Sequence, residues 1–345
     1  MNKLGILIVD DSPMVCELIA AIIEDAEDLY VSGIAGNGRE ACDLVAECRP
    51  NLITMDIFMP VMDGLEAIEE IMSSNPTPIL VLTSSKDASI AYKAIMKGAI
   101  EVSEKPSIDA LSRERFLKKV RTIASLKVIR HIRVGKQVNI PGLTQNPVKR
   151  TDTKPITIAI ASSTGGPKAL VEILSKLPEN LPAAVLIAQH IGNGFTNGLI
   201  KWLNDMTKLK VQQAVNYQAL LPGNVYIAPE SHHIGVTAKG TITISQSLKT
   251  DLYTPSADHL LKSAAVAGRR SIGIVLSGMG SDGAIGISEM KKQGAATIAQ
   301  DEESSVIYGM PKVAVESGCI DYELPLSAIA ARIISIVNRM NREQV

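Results

Sequence analysis

Aromatic residues are scarce in this chain of 345 residues, where phenylalanine, tryptophan and tyrosine together make up 3%. Proteins that bind single-stranded nucleic acid stack bases on aromatic side chains, so this scarcity argues against such a surface. The chain also has no excess of charge of either sign, since its formal net charge is −1. A nearly neutral chain has no long-range field to attract nucleic acid or an anionic membrane. We therefore expect no nucleic-acid partner.

Cysteines and long apolar runs are scarce as well. The cysteines form no C-x-x-C pair and no metal-binding spacing with histidine, which favours reduced thiols in a cytoplasmic protein. The first apolar run stops at Asp10-Asp11 and is too short for the core of a signal peptide. Other apolar stretches, such as Ala183–Ala188, fall below the ~18 residues that a membrane-spanning helix needs. We therefore predict no membrane insertion.

The length and composition that are present suit two globular α/β domains. Apolar residues make up 46% of the chain and charged residues 21%, enough for a core of ordinary size in each half. Short apolar runs alternate with helix-period segments over residues 1–125 and again over residues 154–345. Such strands, separated by helices, indicate parallel sheets covered on both faces. We predict a doubly wound (βα)5 domain and then a larger, doubly wound, mostly parallel α/β domain.

Two smaller features complete the predicted architecture. Residues 126–153 are basic, contain glycine and proline, and lack a sustained apolar period, so we interpret them as a linker. Within the second domain, Ile234–Ser245 has the pattern of a small hairpin with Lys239-Gly240 at its turn. The periodicity there also predicts a helix over Ala257–Ala267.

Polar side chains follow four predicted strands of the first domain. Asp10-Asp11 ends the first strand, Asp56 ends the third, and Thr83 and Lys105 follow the fourth and fifth. Parallel strands place these ends at one edge of the sheet, where sites form. Adjacent carboxylates repel unless a divalent cation or a lysine compensates, and Mg²⁺ would suit phosphoryl chemistry there. Asp56 could then attack a phosphoryl group, with Lys105 balancing the added charge.

A local explanation exists for the first of these signals alone. Asp11 or Ser12 could simply cap the helix that begins at Pro13. That alternative leaves the other three signals unexplained. Residues 1–124 moreover resemble a receiver domain of two-component signalling, through the motifs LIVDDS, TMDIFMPVMDG, VLTSS and EKPS.

The resemblance to receiver domains implies a role for each residue of this group. Asp56 would accept the phosphoryl group, and Thr83 and Lys105 would respond to it. Many receivers carry a rotating aromatic residue where this chain has Val102, so an aromatic switch is not expected. The implied ligands of Mg²⁺ are Asp10 through a water molecule, Asp11, Asp56 and the backbone carbonyl of Phe58.

Ser163, His190 and Asp282 each come directly after a predicted strand of the second domain. Three parallel strands could bring them into one crevice, as a nucleophilic triad requires. The imidazole would accept the serine proton, and the carboxylate would orient and stabilise the imidazolium. Gly165-Gly166 permits a tight turn, and Pro167 suits the first position of a helix. Free amides at that helix N-terminus are natural oxyanion donors.

Each of these residues also has a simpler interpretation. The turn Ser163–Gly166 could bind phosphate, Asp282 could cap a helix, and His190 could be an interior histidine. We favour His190 as the base because it follows a buried-type strand. The rival bases are His232, His233 and His259.

Two other classes of function fit less well. A nucleotide-binding oxidoreductase would need an acidic residue about 20 positions beyond the glycine loop, at the end of a second strand. Gln189-His190 stands there instead. A DNA-binding regulator would need a basic recognition helix, and none is evident in the sequence.

Residues 155–335 resemble the catalytic domain of the chemotaxis protein-glutamate methylesterases, the CheB family. The resemblance lies in IAIASSTGGPKAL, IAQHIGNGFT, LPGNVYIAP, PSADHLLKS, LSGMGSDGAIGI and QDEESSVIYGMP. Small departures are Ala161-Ser162, where the family often has Gly-Ala, and Ile191, where methionine is common. The resemblance implies that Ser163 is the nucleophile, that His190 is the general base and that Asp282 orients His190. Groups at Thr164 and Met279 would shape the oxyanion site.

The resemblance also implies a function. The chain would hydrolyse glutamate γ-methyl esters on methyl-accepting chemoreceptors, releasing methanol, and would deamidate receptor glutamines, with no cofactor in the esterase site. A chemotaxis histidine kinase would phosphorylate Asp56, and the unphosphorylated receiver would pack over the crevice and block it. We expect a cytoplasmic monomer.

Overall fold

The first sheet contains five parallel strands in the order β2-β1-β3-β4-β5. The computed structural model describes residues 3–83, 88–126, 155–248 and 250–343. The strands are β1 (Leu4–Val9), β2 (Leu29–Ala35), β3 (Leu52–Met55), β4 (Ile79–Thr83) and β5 (Glu101–Glu104). The helices are α1 (Pro13–Glu24), α2 (Gly38–Cys48), α3 (Gly64–Ser74), α4 (Ala88–Lys97) and α5 (Ala110–Ala124).

Helices cover both faces of this sheet because alternate side chains of each strand point to opposite sides. Ile6 and Ile8 of β1 belong to the apolar cluster that α1 and α5 complete. Leu7 and Val9 belong to the opposite cluster, together with residues of α2, α3 and α4. Burial on both faces explains why the strands are continuous apolar runs rather than alternating ones.

The second sheet contains seven parallel strands in the order β14-β13-β12-β6-β7-β9-β8. Its strands are β6 (Ile156–Ser162), β7 (Ala183–Gln189), β8 (Lys210–Gln213), β9 (Asn224–Ile227), β12 (Ser271–Val275), β13 (Ala296–Gln300) and β14 (Tyr322–Leu324). A separate antiparallel hairpin pairs β10 (His232–Val236) with β11 (Ile242–Gln246). The helices are α6 (Gly166–Leu174), α7 (Thr196–Met206), α8 (Ala257–Ala264), α9 (Ala284–Lys292), α10 (Met310–Glu316) and α11 (Leu326–Arg342).

The strand order of the second sheet determines where its crevice lies. The chain runs outward from β6 to β7 on one side, and later from β12 to β13 on the other. Adjacent connections therefore leave in opposite directions at β6 and β12, and a crevice opens beyond the carboxyl ends of these strands. Helices α6, α7 and α11 cover one face, and α8, α9, α10 and the hairpin cover the other. The predicted doubly wound α/β class is confirmed for both halves of the chain.

The predicted elements differ from the structure in a few places. The helix predicted over Ala257–Ala267 is wrong at its end, because α8 stops at Ala264 and a 3-10 helix, Ala265–Arg270, follows it. Gly268 there takes φ 53° and ψ −130°, which no α-helix contains. The sequence patterns did not reveal β8, β14, α10 and α11. The linker predicted over residues 126–153 lies outside the described residues, except for its first residue, so the domain bounds stay a prediction.

The two halves contact each other through helices. Helix α4 packs against α6 and α7. Tyr92 of α4 stacks on Trp202 of α7, with ring centroids 5.3 Å apart and planes inclined by 14°. Both rings are almost fully buried. Within the part of the chain that the structure describes, no helix is long and apolar enough to cross a membrane.

Candidate functional site

Two glycines shape the turn that carries Ser163, between β6 and α6. Gly165 has φ +79°, and an added Cβ would lie 2.7 Å from the side chain of Val306. A Cβ on Gly166 would lie 2.1 Å from Oε1 of Gln189. The amide of Ser163 donates to the carbonyl of Ser277, at 3.0 Å. The turn therefore admits only glycine at these positions, and it is anchored to the segment just beyond β12.

Gln189 is a residue of this site that the sequence reasoning used only to reject a rival function. Its side chain is buried at the end of β7. Its Oε1 accepts from the hydroxyl of Ser162 at 2.6 Å, and its Nε2 donates to the carbonyls of Ser163 and His190, each at 2.9 Å. One amide group thus joins the two backbone segments that carry Ser163 and His190. The signal available in the sequence was a polar residue ending an otherwise apolar strand.

Asp282 and His190 form a close pair, with Asp282 Oδ2 2.9 Å from His190 Nε2. The Asp282 carboxylate also accepts from the amides of Ala257 and Asp258, at 2.7 and 2.8 Å. Burial disfavours its charged form, but these hydrogen bonds outweigh burial and hold the pKa of the carboxyl below its ordinary value. Asp282 therefore lies at a helix N-terminus, that of α8, while it binds His190. Asp282 does not cap α9, the helix that follows it in the chain, whose N-cap is Gly283, and its role in a triad stays a prediction.

Ser163 and His190 lie side by side because each comes directly after one of two paired strands. Ser162 and Gln189, the preceding residues, are register partners, and the amide of His190 donates to the carbonyl of Ser162 at 2.9 Å. Among the described residues, no hydrogen bond joins the Ser163 hydroxyl to the ring of His190. Such bonds are often long before substrate binds. Since Asp282 binds Nε2, the other ring nitrogen, Nδ1, would have to accept the serine proton if His190 is the base.

The acidic residues of the first domain also lie together. One carboxylate oxygen from each of Asp10, Asp11 and Asp56 lies within 4.8 Å of the others. Lys105 Nζ is 2.6 Å from Asp10 Oδ2 and 2.9 Å from Asp56 Oδ2. Burial raises the pKa of the Asp56 carboxyl above its ordinary value, although Lys105 opposes this shift. Burial lowers the pKa of Lys105, but its hydrogen bonds to Asp10 and Asp56 outweigh this effect and leave it raised.

The remaining residues predicted for this group occupy the same edge of the sheet. Thr83 is the last residue of β4, is buried, and pairs in register with Glu104 of β5. Phe58 lies beyond β3 with about half of its surface exposed. Val102 is a buried core residue of β5. The carboxylate cluster offers the oxygen ligands that Mg²⁺ prefers, so the donor set fits this ion.

Comparison with known families identifies both halves of the chain. A sequence model described as response regulator receiver domain matches residues 6–118. One described as CheB methylesterase matches residues 158–333, about half of the chain. The chain belongs to the CheB methylesterase family.

Relatives match the CheB-family chain over nearly its whole length. The protein-glutamate methylesterase/protein-glutamine glutaminase 3 of Paramagnetospirillum magneticum is 41% identical over 97% of this chain and 96% of the relative. The protein-glutamate methylesterase/protein-glutamine glutaminase of Pyrococcus abyssi is 38% identical over 97% of this chain and 94% of the relative. The crystal structure of the Thermotoga maritima CheB methylesterase catalytic domain is 37% identical with a TM-score of 0.51. It covers 53% of this chain and 100% of that structure.

The receiver domain of this CheB-family chain reaches the crevice directly. Glu101 of β5, which is paired with Lys119 at 2.6 Å, accepts a hydrogen bond from the hydroxyl of Thr164. The hydroxyl of Thr122 in α5 lies 3.0 Å from the sulfur of Met279. Receiver side chains therefore contact both residues that were predicted to shape the oxyanion site. The face that packs on the catalytic domain is the one formed by α4, β5 and α5.

Among the described residues, no hydrogen bond joins the rival bases to the serine turn. His232 Nδ1 is 2.6 Å from the carbonyl of Glu230, within its own loop. His233 has both ring nitrogens engaged, with Asp251 at 2.9 Å and with the amide of Ser256 at 3.0 Å. His259 stacks on His233, and burial lowers its pKa. Of these histidines, His190 alone directly follows a strand that pairs with β6.

Proposed function

We propose that this chain is a carboxylic ester hydrolase that removes γ-methyl esters from glutamate side chains of methyl-accepting chemoreceptors, for chemotactic adaptation. It would also deamidate receptor glutamines, since both reactions transfer an acyl group to water and differ only in the leaving group. The names of relatives at about 40% identity support this assignment. The observation that carries it is the buried, charged Asp282 paired with His190 beside the Ser163 turn.

The mechanism follows from this geometry. Ser163 Oγ attacks the ester carbonyl carbon while His190 takes the hydroxyl proton, and Asp282 stabilises the imidazolium. The oxyanion of the tetrahedral intermediate forms near Thr164 and Met279. His190 then gives the proton to the methoxide oxygen, so that methanol leaves and an acyl-enzyme remains. Water, deprotonated by His190, attacks the acyl carbonyl, and His190 gives the proton to Ser163 Oγ as the acyl bond breaks, which releases the glutamate carboxylate and free Ser163.

Control would come from the receiver domain. A chemotaxis histidine kinase would supply the phosphoryl group to Asp56. Asp11, Asp56 and the Phe58 carbonyl would hold Mg²⁺, with Asp10 acting through water, and the ion would offset the charge of the incoming phosphoryl group. Lys105 and Thr83 would then change partners. Because α4, β5 and α5 cover the crevice, a shift of this face would uncover Thr164 and Met279. We assign the chain to the cytoplasm as a monomer.

The first test is Ser163→Ala, with methanol release measured from methylated receptors in membranes. The variant should retain its fold and lose hydrolysis by at least about 1,000-fold, since the nucleophile is gone. Retained activity would remove Ser163 from the mechanism.

The second test is Asp56→Asn, measured with and without a small phosphodonor such as acetyl phosphate. The wild-type chain should be stimulated and the variant should not respond. Stimulation of the variant would show that the phosphodonor acts elsewhere.

A further inference from the structure

The segment formed by residues 251–256 lies over the proposed general base. It follows the β10–β11 hairpin in the chain and immediately precedes α8. Tyr253 of this segment stacks flat on His190, with ring centroids 5.0 Å apart and ring planes inclined by 6°. Its hydroxyl reaches over Gly280, where an added Cβ would lie 2.5 Å away. The ring of His190 is therefore held at one edge by Asp282 and on one face by Tyr253.

A single buried side chain, His233 of β10, holds both ends of this segment. His233 Nε2 is 2.9 Å from Oδ2 of Asp251, and the amide of Ser256 donates to His233 Nδ1 at 3.0 Å. A backbone amide only donates, so Nδ1 carries no proton and Nε2 carries it. The hydrogen bond from His233 lowers the pKa of the Asp251 carboxyl. The imidazole of His233 thus links the two ends of residues 251–256 into a closed loop, with Tyr253 in its middle.

The hydrogen bonds of this loop extend to the carboxylate of Asp282. Ser256 is the N-cap of α8, and its hydroxyl donates to Asp282 Oδ1 at 3.2 Å. The next two amides of the chain, those of Ala257 and Asp258, also bind Asp282. The position of Ser256 therefore sets where these donors lie, and His233 sets the position of Ser256.

We propose that His233 is a positioning residue for the esterase reaction and that Asp251 is its partner. Together they brace residues 251–256, which restrain the ring of His190 through Tyr253 and the carboxylate of Asp282 through Ser256. Without the brace, His190 would populate orientations turned away from Ser163, so fewer bound substrates would react. The loss would fall on kcat rather than KM, because His233 does not touch the substrate. The inference rests on the proposed function for its substrate.

The experiment separates the two arms of His233. In His233→Asn the amide oxygen takes the place of Nδ1 and can accept from Ser256. In His233→Gln the amide nitrogen takes the place of Nε2 and can donate to Asp251. His233→Leu removes both arms. The matched control is His232→Leu on the same strand, whose ring binds only the carbonyl of Glu230 among the described residues.

Two readouts are measured with acetyl phosphate present. The first is methanol release from methylated receptors against pH and receptor concentration. The second is the rate at which a fluorophosphonate labels Ser163, which needs His190 but no methyl ester. In His233→Leu, we expect kcat and the labelling rate to fall about 10-fold to 100-fold with KM within about twofold. The acid limb of the kcat/KM profile, which reports the base, should also move. His233→Asn should recover most of the rate, His233→Gln should stay slow because it loses the acceptor for the Ser256 amide, and His232→Leu should match the wild type.

The outcomes distinguish this inference from the proposed function. If the wild-type chain is labelled at Ser163 but releases no methanol, the proposed function fails, and the labelling rates of the variants still decide about His233. If folded His233→Leu keeps the wild-type kcat, labelling rate and pH profile, His233 has no positioning role. A variant that only lowers the melting temperature, with unchanged rates per labelled site, would also overturn the inference. Should His233→Leu not fold, the Asn and Gln variants decide the question, since wild-type rates in both would refute the positioning role.

Discussion

Tyr92→Ala should release the catalytic domain from its receiver without phosphorylation. Tyr92 is 2% exposed and Trp202 is 5% exposed, so their stacked contact is fully desolvated. An aromatic side chain buries about 200 Å², worth about 5 kcal/mol at about 25 cal/mol per Å². We assign about half of this to the interface, because one face of the ring lies on Trp202. Stacking adds roughly 1 kcal/mol. The closed arrangement would then lose about 3.5 kcal/mol, or roughly 400-fold in its equilibrium constant.

The assay is methanol release from methylated receptors with no phosphodonor present. Tyr92→Ala should approach the rate of the phosphorylated wild type, and acetyl phosphate should stimulate it little further. The control is Lys93→Ala, since Lys93 is the exposed neighbour on α4 and should leave the basal rate unchanged. A cooperative thermal transition in Tyr92→Ala establishes that its receiver is folded. If the folded variant remains as slow as the unphosphorylated wild type, the contact between α4 and α7 does not inhibit the enzyme.

Three further predictions concern the two sites. Gly166→Ala should destabilise the fold by about 2 kcal/mol and abolish hydrolysis, because its Cβ would strike Gln189, whereas Gly36→Ala should melt like the wild type. Asp282→Asn should lower kcat by about 10,000-fold. The pKa of the Asp282 carboxyl is lower in the folded chain than in the unfolded chain, where it is about 3.9. The ionised carboxylate therefore stabilises the fold above the unfolded pKa, and this stabilisation is lost as the pH falls through the folded pKa. Denaturant titrations should show the wild type losing this advantage over Asp282→Asn in acid. The pKa of the Asp56 carboxyl is raised in the folded chain, so ionising this carboxyl destabilises the fold as the pH rises through the folded pKa. Asp56→Asn should therefore be more stable than the wild type at pH 7 without Mg²⁺. Added Mg²⁺ should stabilise the wild type but not Asp56→Asn, as measured by thermal melting.

The fold class was predictable because its signals are local. Strands buried on both faces must be continuous apolar runs, and such runs are visible at β1 and β6 without knowledge of tertiary structure. The edge strand β8 was missed since only Val211 along it is buried, which leaves no apolar run to detect. The 3-10 helix after α8 was missed because a single glycine in the sequence, Gly268, does not predict the backbone angles that it takes.

The candidate site, like the fold, was predictable from the sequence only in part. Strand ends predicted that Ser163, His190 and Asp282 share a crevice, and the structure brings His190 and Asp282 into contact. Contacts between distant segments carry no such signal. Glu101 meets Thr164 across 63 positions of the chain, and only the packing of two domains places them together. The triad roles and the metal ligands themselves stay predictions until the variants are measured.

Trp202 is the chain's single tryptophan, and it lies where the two domains meet. The scarcity of aromatic residues that argues against nucleic-acid binding therefore leaves the protein with one indole fluorophore at the interface between its domains. When the receiver moves away, the indole would exchange the apolar contact of Tyr92 for water, and its emission would shift to longer wavelength. The opening of the unlabelled enzyme could then be followed in real time as the phosphodonor is added.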